Sequence, residues 1–250
     1  MALRVLLLVP VKWNIEPSLL AVNIRLAYAL RGGALDRGVD VTVKHVFDGE
    51  GDRGIDPKRD ATGIGEYNTL VFLKRKKALS RVRNRIIENQ QLDEYTHVMW
   101  MDADVIDTSR YDLIPQMLFN HERSTIVAPM VILDRNQVFG DTWFYDTAGF
   151  VRKGNMALPF PPYFFPHDEE SNKGEVEMDS VGTCYIVPAE VFKTARFQPH
   201  PTFTEHYPVC ETARNLGMKV ICNTDLRVTH GFLPNFMHNR AMEVCCPLHE

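Results

Sequence analysis

From residue 3 to residue 131 short apolar runs alternate with helical periodicities, and this alternation restricts the fold more than any other feature of the chain. Leu3–Val9 is of strand length and holds the apolar run Val5–Val9. After the loop Pro10–Pro17, Ser18 stands where a helix N-cap belongs, and Leu19, Leu20, Ile24, Ala27 and Leu30 recur at helical spacing as far as Gly32–Gly33. Val39–Val43 then alternates as a strand does, so the chain opens with a β-α-β unit of the kind that builds a parallel sheet. A second amphipathic helix is expected over 74–92, with Ala78, Leu79, Val82 and Ile86 inward and most of its charge on a solvated face. Thr96–Met101 is the next strand, and helix 109–121 and strand Thr125–Val131 continue the alternation.

Beyond residue 132 the elements shorten: Thr142–Phe150, an aromatic and Pro-rich stretch Leu158–Pro166, strand Val181–Val187, a helix begun by Pro188, a helix near 208–217, and strands Met218–Cys222 and Arg227–His230. No repeat or linker interrupts them, so one domain is expected. Its first half, 1–131, is expected to bind a nucleotide and its second half, 132–232, to shape the substrate side, with 233–250 as a tail. The predicted class is α/β, a mostly parallel sheet flanked by helices with a smaller mixed sheet beside it. Residues 48–66, rich in Gly and charge, are expected to form a loop.

Composition excludes several classes. With 45% hydrophobic and 24% charged residues the chain can bury a core, which removes disordered and disulfide-scaffold readings. Twenty-eight Lys and Arg against 32 Asp and Glu give a net charge of −4, no surplus for phosphate contacts, so nucleic acid is not the expected main partner. The five Cys follow no metal-cage spacing and read as reduced thiols. Pro10 closes the first apolar run with no cleavage site after it, and no later run approaches the roughly 20 apolar residues of a membrane span. A soluble, cytoplasmic protein is expected.

Five places carry candidate chemistry. Asp102 and Asp104, one residue apart at a strand's C-terminal end, can share a divalent cation and the ribose or phosphates of a nucleotide; solvated turn aspartates are the plain alternative. In Ser80-Arg-Val-Arg-Asn84, Arg81 and Asn84, with Arg85, fall within about one helical turn and can face a phosphate or base, although surface salt bridges explain arginines as well. In Glu177–Cys184, Gly182 lets backbone approach a ligand and Asp179 can bond a sugar hydroxyl, or the segment is a simple Gly-containing turn. Glu205 and His206 precede a helix whose free N–H groups favour an ionised acid there, with capping by Glu205 as the rival role. His230, after Arg227–Thr229, is a candidate third metal ligand or a structural hydrogen-bonder.

In their order along the chain these five resemble the GT-A class of nucleotide-sugar-dependent glycosyltransferases over residues 3–232. The matching parts are the Arg-Asn helix at Arg81–Asn84, a D-x-D motif at Asp102–Asp104 and a D-x-V-G-T-like segment at Asp179–Cys184. The helix Val209-Cys-Glu-Thr-Ala-Arg-Asn-Leu-Gly217 and the turn Thr229-His-Gly231 complete the set. Within the class the likeness is to family 62, the fungal Golgi α-mannosyltransferases of the mannan polymerase complex, and to related bacterial and viral proteins. The resemblance implies Mn²⁺ or Mg²⁺ on Asp104 and His230, with Asp102 bridging metal and ribose of a UDP- or GDP-sugar. It implies the base pocket at Pro10 and Val11, the donor on Arg81 and Asn84, and transferred sugar or acceptor on Asp179 and Glu205.

The loops at 48–66 and 134–141 are candidate lids, and Trp143, Phe144 and Tyr163–Phe165 are candidate stacking surface for acceptor sugars or core. The chain departs from the pattern at His206, where many relatives carry the general base Asp, and at Cys184, which replaces a glycine. Histidine can take a proton near neutral pH, but the change equally suits a retaining enzyme. The acceptor would be a glycan, a lipid-linked sugar, a protein or a modified nucleobase. A haloacid-dehalogenase-type phosphatase and a non-catalytic carbohydrate binder are the rival classes. The tail, with Cys245 and Cys246, suggests metal-, redox- or dimer-related packing, and a homodimer is one candidate.

Overall fold

A computed structural model describes residues 2–11, 15–47, 67–122, 124–133, 149–154, 156–157 and 174–231. Val5, Leu6, Leu7, Leu8 and Val9 of strand β1 (Arg4–Val11) are fully buried, a pattern that requires cover on both faces of the strand and a neighbour on each edge. The neighbours are β2 (Asp40–Phe47) and β3 (His97–Met101), both parallel to it. Beyond β3 the sheet continues through β9 (Cys184–Pro188), β5 (Thr125–Leu133) and β10 (Lys219–His230). β9 runs against β3 and β5, and β10 runs parallel to β5, so β1, β2, β3, β5 and β10 share one direction. The short strands β6 (Val151–Arg152) and β7 (Met156–Ala157) and the strand β8 (Glu175–Ser180) add an antiparallel flank. The expected α/β class, a mainly parallel sheet with a smaller mixed part, is the observed one.

Helix α1 (Pro17–Leu35) buries Asn23, Leu26, Ala27, Leu30 and Ala34, one helical stripe. Its start and end differ from expectation. Glu16 is the N-cap and Pro17, which has no N–H to satisfy, begins the helix, so Ser18 lies inside it. The helix also runs through Gly32–Gly33, because Gly33 is needed for packing: a Cβ there would stand 2.3 Å from the Tyr111 carbonyl oxygen.

Helix α2 (Tyr67–Glu88) begins earlier than predicted and turns a partly polar face inward, burying Lys76, Ser80 and Arg83 as well as Ala78, Ile86 and Ile87. The expected helix 109–121 is the shorter helix α3 (Leu113–Phe119), and a strand that was not predicted, β4 (Val105–Thr108), precedes it. The expected strand Val181–Val187 starts only at Cys184, and Pro188 ends it, with the single-turn helix α4 (Val191–Thr194) after it. The two expected strands 218–222 and 227–230 are one strand, β10, whose register shifts between Asn223 and Arg227. Helix α5 (Tyr207–Asn215) lies where predicted. The candidate lids, Trp143, Phe144, Tyr163–Phe165 and the tail with Cys245 and Cys246 lie outside the described residues. Among the described residues no helix is long and apolar enough to cross a membrane.

Candidate functional site

The parallel strands β1, β3, β5 and β10 end on one edge of the sheet, where α/β folds bind ligands. Pro10 and buried Val11 close β1 there, paired in register with Val46 and Phe47. β3 ends at Met101 and passes into a tight turn, closed by the Val105 N–H donating to the Asp102 carbonyl at 3.1 Å, which carries Asp102 and Asp104. β4 then pairs antiparallel with the end of β10, setting His230 opposite Val105. That register brings together residues 126 positions apart in sequence: His230 Nε2 lies 3.1 Å from Asp104 Oδ1, and the Gly231 N–H donates to the Asp104 carbonyl at 2.6 Å. Glycine eases this approach, since a Cβ at Gly231 would stand 2.9 Å from the Ile106 side chain and 3.0 Å from that of Leu19, both of which would have to shift.

Asp102 belongs to different surroundings. Its Oδ1 accepts from Trp100 Nε1 at 3.1 Å and from Arg83 Nη2 at 3.4 Å. Arg83, 7% exposed at its side chain, reaches across from α2, and its Nη1 also meets Glu205 Oε1 and His206 Nε2. The guanidinium lies 5.4 Å from the ring centroid of Trp100 and 5.8 Å from that of Phe197, so aromatic faces supply what water would. Because arginine only donates, His206 Nε2 must be the acceptor, and Nδ1 carries the proton toward the Tyr185 hydroxyl at 3.1 Å. Burial and then the neighbouring Arg83 charge push the His206 pKa well below its usual range, which keeps the ring neutral.

The other expected residues are placed as follows. Glu205 is not a helix cap: α5 is capped by the His206 backbone with no side-chain bond, and Glu205 is paired with Arg83. Asp179 on β8 lies 3.6 Å from Arg214 Nε of α5, whose guanidinium stacks over Tyr207. Gly182 sits in the link between β8 and β9, but the left-handed backbone falls on the next residue, Thr183 at φ 54°, a costly conformation for a β-branched side chain. The Thr183 carbonyl accepts the Asp102 N–H at 2.8 Å, so this strained residue braces the D-x-D turn.

Arg81 and Asn84 line a groove of about 350 Å³ with Lys77, Ser80, Phe197 and Pro199, and the carboxylates are not part of its wall. Asn84 uses both ends of its amide on the Phe197 backbone at 2.9 Å each. The residue of the Ser80–Asn84 segment that reaches the D-x-D motif is therefore Arg83, which sequence reasoning passed over. Its spacing of three and four residues before Ile86 and Ile87 is the signal that puts it inward.

Among the described residues no three His, Cys, Asp or Glu side chains converge as a metal set. Asp104 and His230 are a pair, one carboxylate and one imidazole. This donor set fits a small divalent cation that keeps some water and takes further oxygens from a bound phosphate.

No family model matches the chain, and no curated protein matches it in sequence. Solved structures similar to it include GalNAc-T7 with UDP, GalNAc and Mn²⁺, at 12% identity and a TM-score of 0.49, over 92% of this chain and 43% of that one. The catalytic domain of Drosophila beta1,4galactosyltransferase 7 in complex with xylobiose is similar at 11% identity and a TM-score of 0.45, over 88% and 65%. S. aureus TarS 1-349 is similar at 10% identity and a TM-score of 0.41, over 89% and 60%. The chain thus spans less than two thirds of the length of each. At these identities and scores the likenesses assign no activity to it.

Proposed function

We propose that the chain is a divalent-metal-dependent glycosyltransferase, transferring a hexose from a UDP- or GDP-sugar to the hydroxyl of a glycan or similar acceptor. The observation that carries this reading is the meeting of Asp104 and His230 at the C-terminal edge of the sheet, on the turn that also carries Asp102. The order of the motifs along the chain supports it, and within that class the family 62 likeness favours mannose from GDP-mannose.

In this reading Asp104 and His230 hold Mn²⁺ or Mg²⁺. The bound cation neutralises the charge that develops on the diphosphate leaving group. Asp102, its Oδ1 held by Trp100 and Arg83, orients the ribose, and the backbone at Pro10 and Val11 receives the base. Asp179, kept beside Arg214, orients the transferred sugar. Glu205 and His206 act through Arg83: the Glu205 carboxylate group fixes the guanidinium from one side and the neutral His206 from another. With its lone pair on Arg83, His206 is a holder of that group and not the proton acceptor, an arrangement that suits a retaining reaction.

The test is calorimetric titration of UDP, GDP and their sugar conjugates, with and without Mn²⁺, into the wild-type chain and into Asp104→Ala. Binding of one nucleotide class that requires both Mn²⁺ and Asp104 is the expected result. Metal-independent binding, or no nucleotide binding at all, defeats the proposal.

A further inference from the structure

Asn23 is a fully buried amide on α1, in the middle of a stripe otherwise made of Leu and Ala. Burying an amide in such a place is costly unless its hydrogen-bonding groups are met. They are met by the D-x-D turn. Asn23 Nδ2 donates to the Val105 carbonyl at 2.7 Å and to the Asp102 carbonyl at 3.3 Å, the two ends of the segment that carries both carboxylates. On the other side Asn23 Oδ1 lies 3.1 Å from His45 Nε2 of β2. Since an amide oxygen accepts only, His45 donates, and this contact fixes which end of the amide faces the turn.

Other anchors of the turn include the Asp102 N–H on the Thr183 carbonyl, the Gly231 N–H on the Asp104 carbonyl, and Trp100 and Arg83 on the Asp102 carboxylate. The two backbone anchors come from the sheet side. Asn23 comes from the helix side and grips both ends of the turn with a single NH₂ group, so it limits how far the turn can open. Asp104 sits between those two gripped carbonyls, and its carboxylate must stay within reach of His230, on another strand, for the two to act on one ligand.

We propose that Asn23 is a positioning residue for the D-x-D turn, holding Asp104 against His230 and thereby setting the cation affinity of the pair, with His45 orienting its amide. This rests on the reading that Asp104 and His230 hold a divalent cation. It gives a buried polar residue outside the reacting groups a function that a stability role alone does not predict.

The experiment is Mn²⁺ titration of the purified chain, followed by electron paramagnetic resonance and calorimetry, for wild type, Asn23→Leu and His45→Ala, with thermal unfolding recorded without metal. Asn23→Leu keeps the volume and the charge but removes all three hydrogen bonds. Loss of partners that orient metal ligands typically weakens affinity by about 10–100-fold, and that is the expected change for Asn23→Leu. His45→Ala, at a half-buried position, is expected to weaken binding by a factor of about 2–5. Wild-type affinity in a folded Asn23→Leu overturns the proposal, even if its unfolding temperature falls. Should Asn23→Leu not fold, His45→Ala decides in the same way: weaker binding supports the proposal and unchanged binding overturns it. Absence of Mn²⁺ binding by the wild type removes the metal reading itself, and the proposal with it.

Discussion

On one side of the D-x-D turn lies a closed cluster, in which Asp102, Arg83, Glu205 and His206 are packed against Trp100, Phe197 and Tyr185. On the other side lies the pair Asp104 and His230, brought together by the register of β4 on β10. The side chains of Arg83, Glu205 and Asp102 are 7%, 5% and 18% exposed and those of His230 and Asp104 9% and 21%, so it is the partners of each side chain that separate the two sides. Two aspartates that look equivalent in sequence therefore have different physical work. The closed side offsets each buried charge with another, and its geometry is fixed by several contacts at once.

The closed side should be broken most severely by Arg83→Met. Removing the cation leaves Glu205 and Asp102 with uncompensated buried charge, for which a loss of about 3–5 kcal/mol is expected in chemical denaturation. A loss below about 1 kcal/mol would mean that the cluster is less closed than its geometry indicates. Gly231→Ala acts on the contact between the two sides. The added methyl meets Ile106 and Leu19, flexible side chains that can yield, so about 1–3 kcal/mol is expected, together with weaker Mn²⁺ binding because the Asp104 carbonyl lies 3.3 Å from the new atom.

The protonation of His206 distinguishes the two sides by pH. Its folded pKa lies below the ordinary 6.5, so the unfolded chain takes up the proton first as pH falls. Its contribution to stability is complete above about pH 6.5 and is lost as the pH drops below that value. Burial lowers His45, His121 and His200 in the same direction. Each such group adds at most about 1.4 kcal/mol per pH unit to the slope. Denaturation of His206→Gln between pH 7 and pH 5 should show a shallower slope than wild type, and an identical slope would mean that the His206 pKa is the same in the folded and unfolded chain. The smallest effect is expected from Asp104→Asn, about 1 kcal/mol or less in stability, since it alters one partly exposed hydrogen-bonded pair.

The same contrast explains how much was legible beforehand. The parallel strands could be read because Val5–Val9 and Val98–Met101 are apolar without interruption, and local pattern decides burial there. The open pair was legible too, since Asp104 follows a strand and His230 ends one. The closed cluster was not, because hydrophobic periodicity assigns charged residues to the solvent face. Lys76 and Arg83 on α2 are buried because partners far along the chain, His200 and Glu205, meet them. Those partners become visible only once α2 and the start of α5 are packed on the same sheet. Arg81 was preferred to Arg83 for that reason, and Asn23 went unnoticed because its partners are backbone carbonyls, which leave no mark in a sequence. The early end assigned to α1 at Gly32–Gly33 failed for a related cause, the close approach of Tyr111.

The inequivalence of the two aspartates is tested most directly by titrating Mn²⁺, without nucleotide, into Asp102→Asn and Asp104→Asn beside the wild type. Loss of detectable binding in Asp104→Asn, with Asp102→Asn retaining affinity within about tenfold of wild type, is the expected result. Equal loss in both variants, or loss in Asp102→Asn alone, would contradict the division of the turn into a closed charge cluster and an open metal pair.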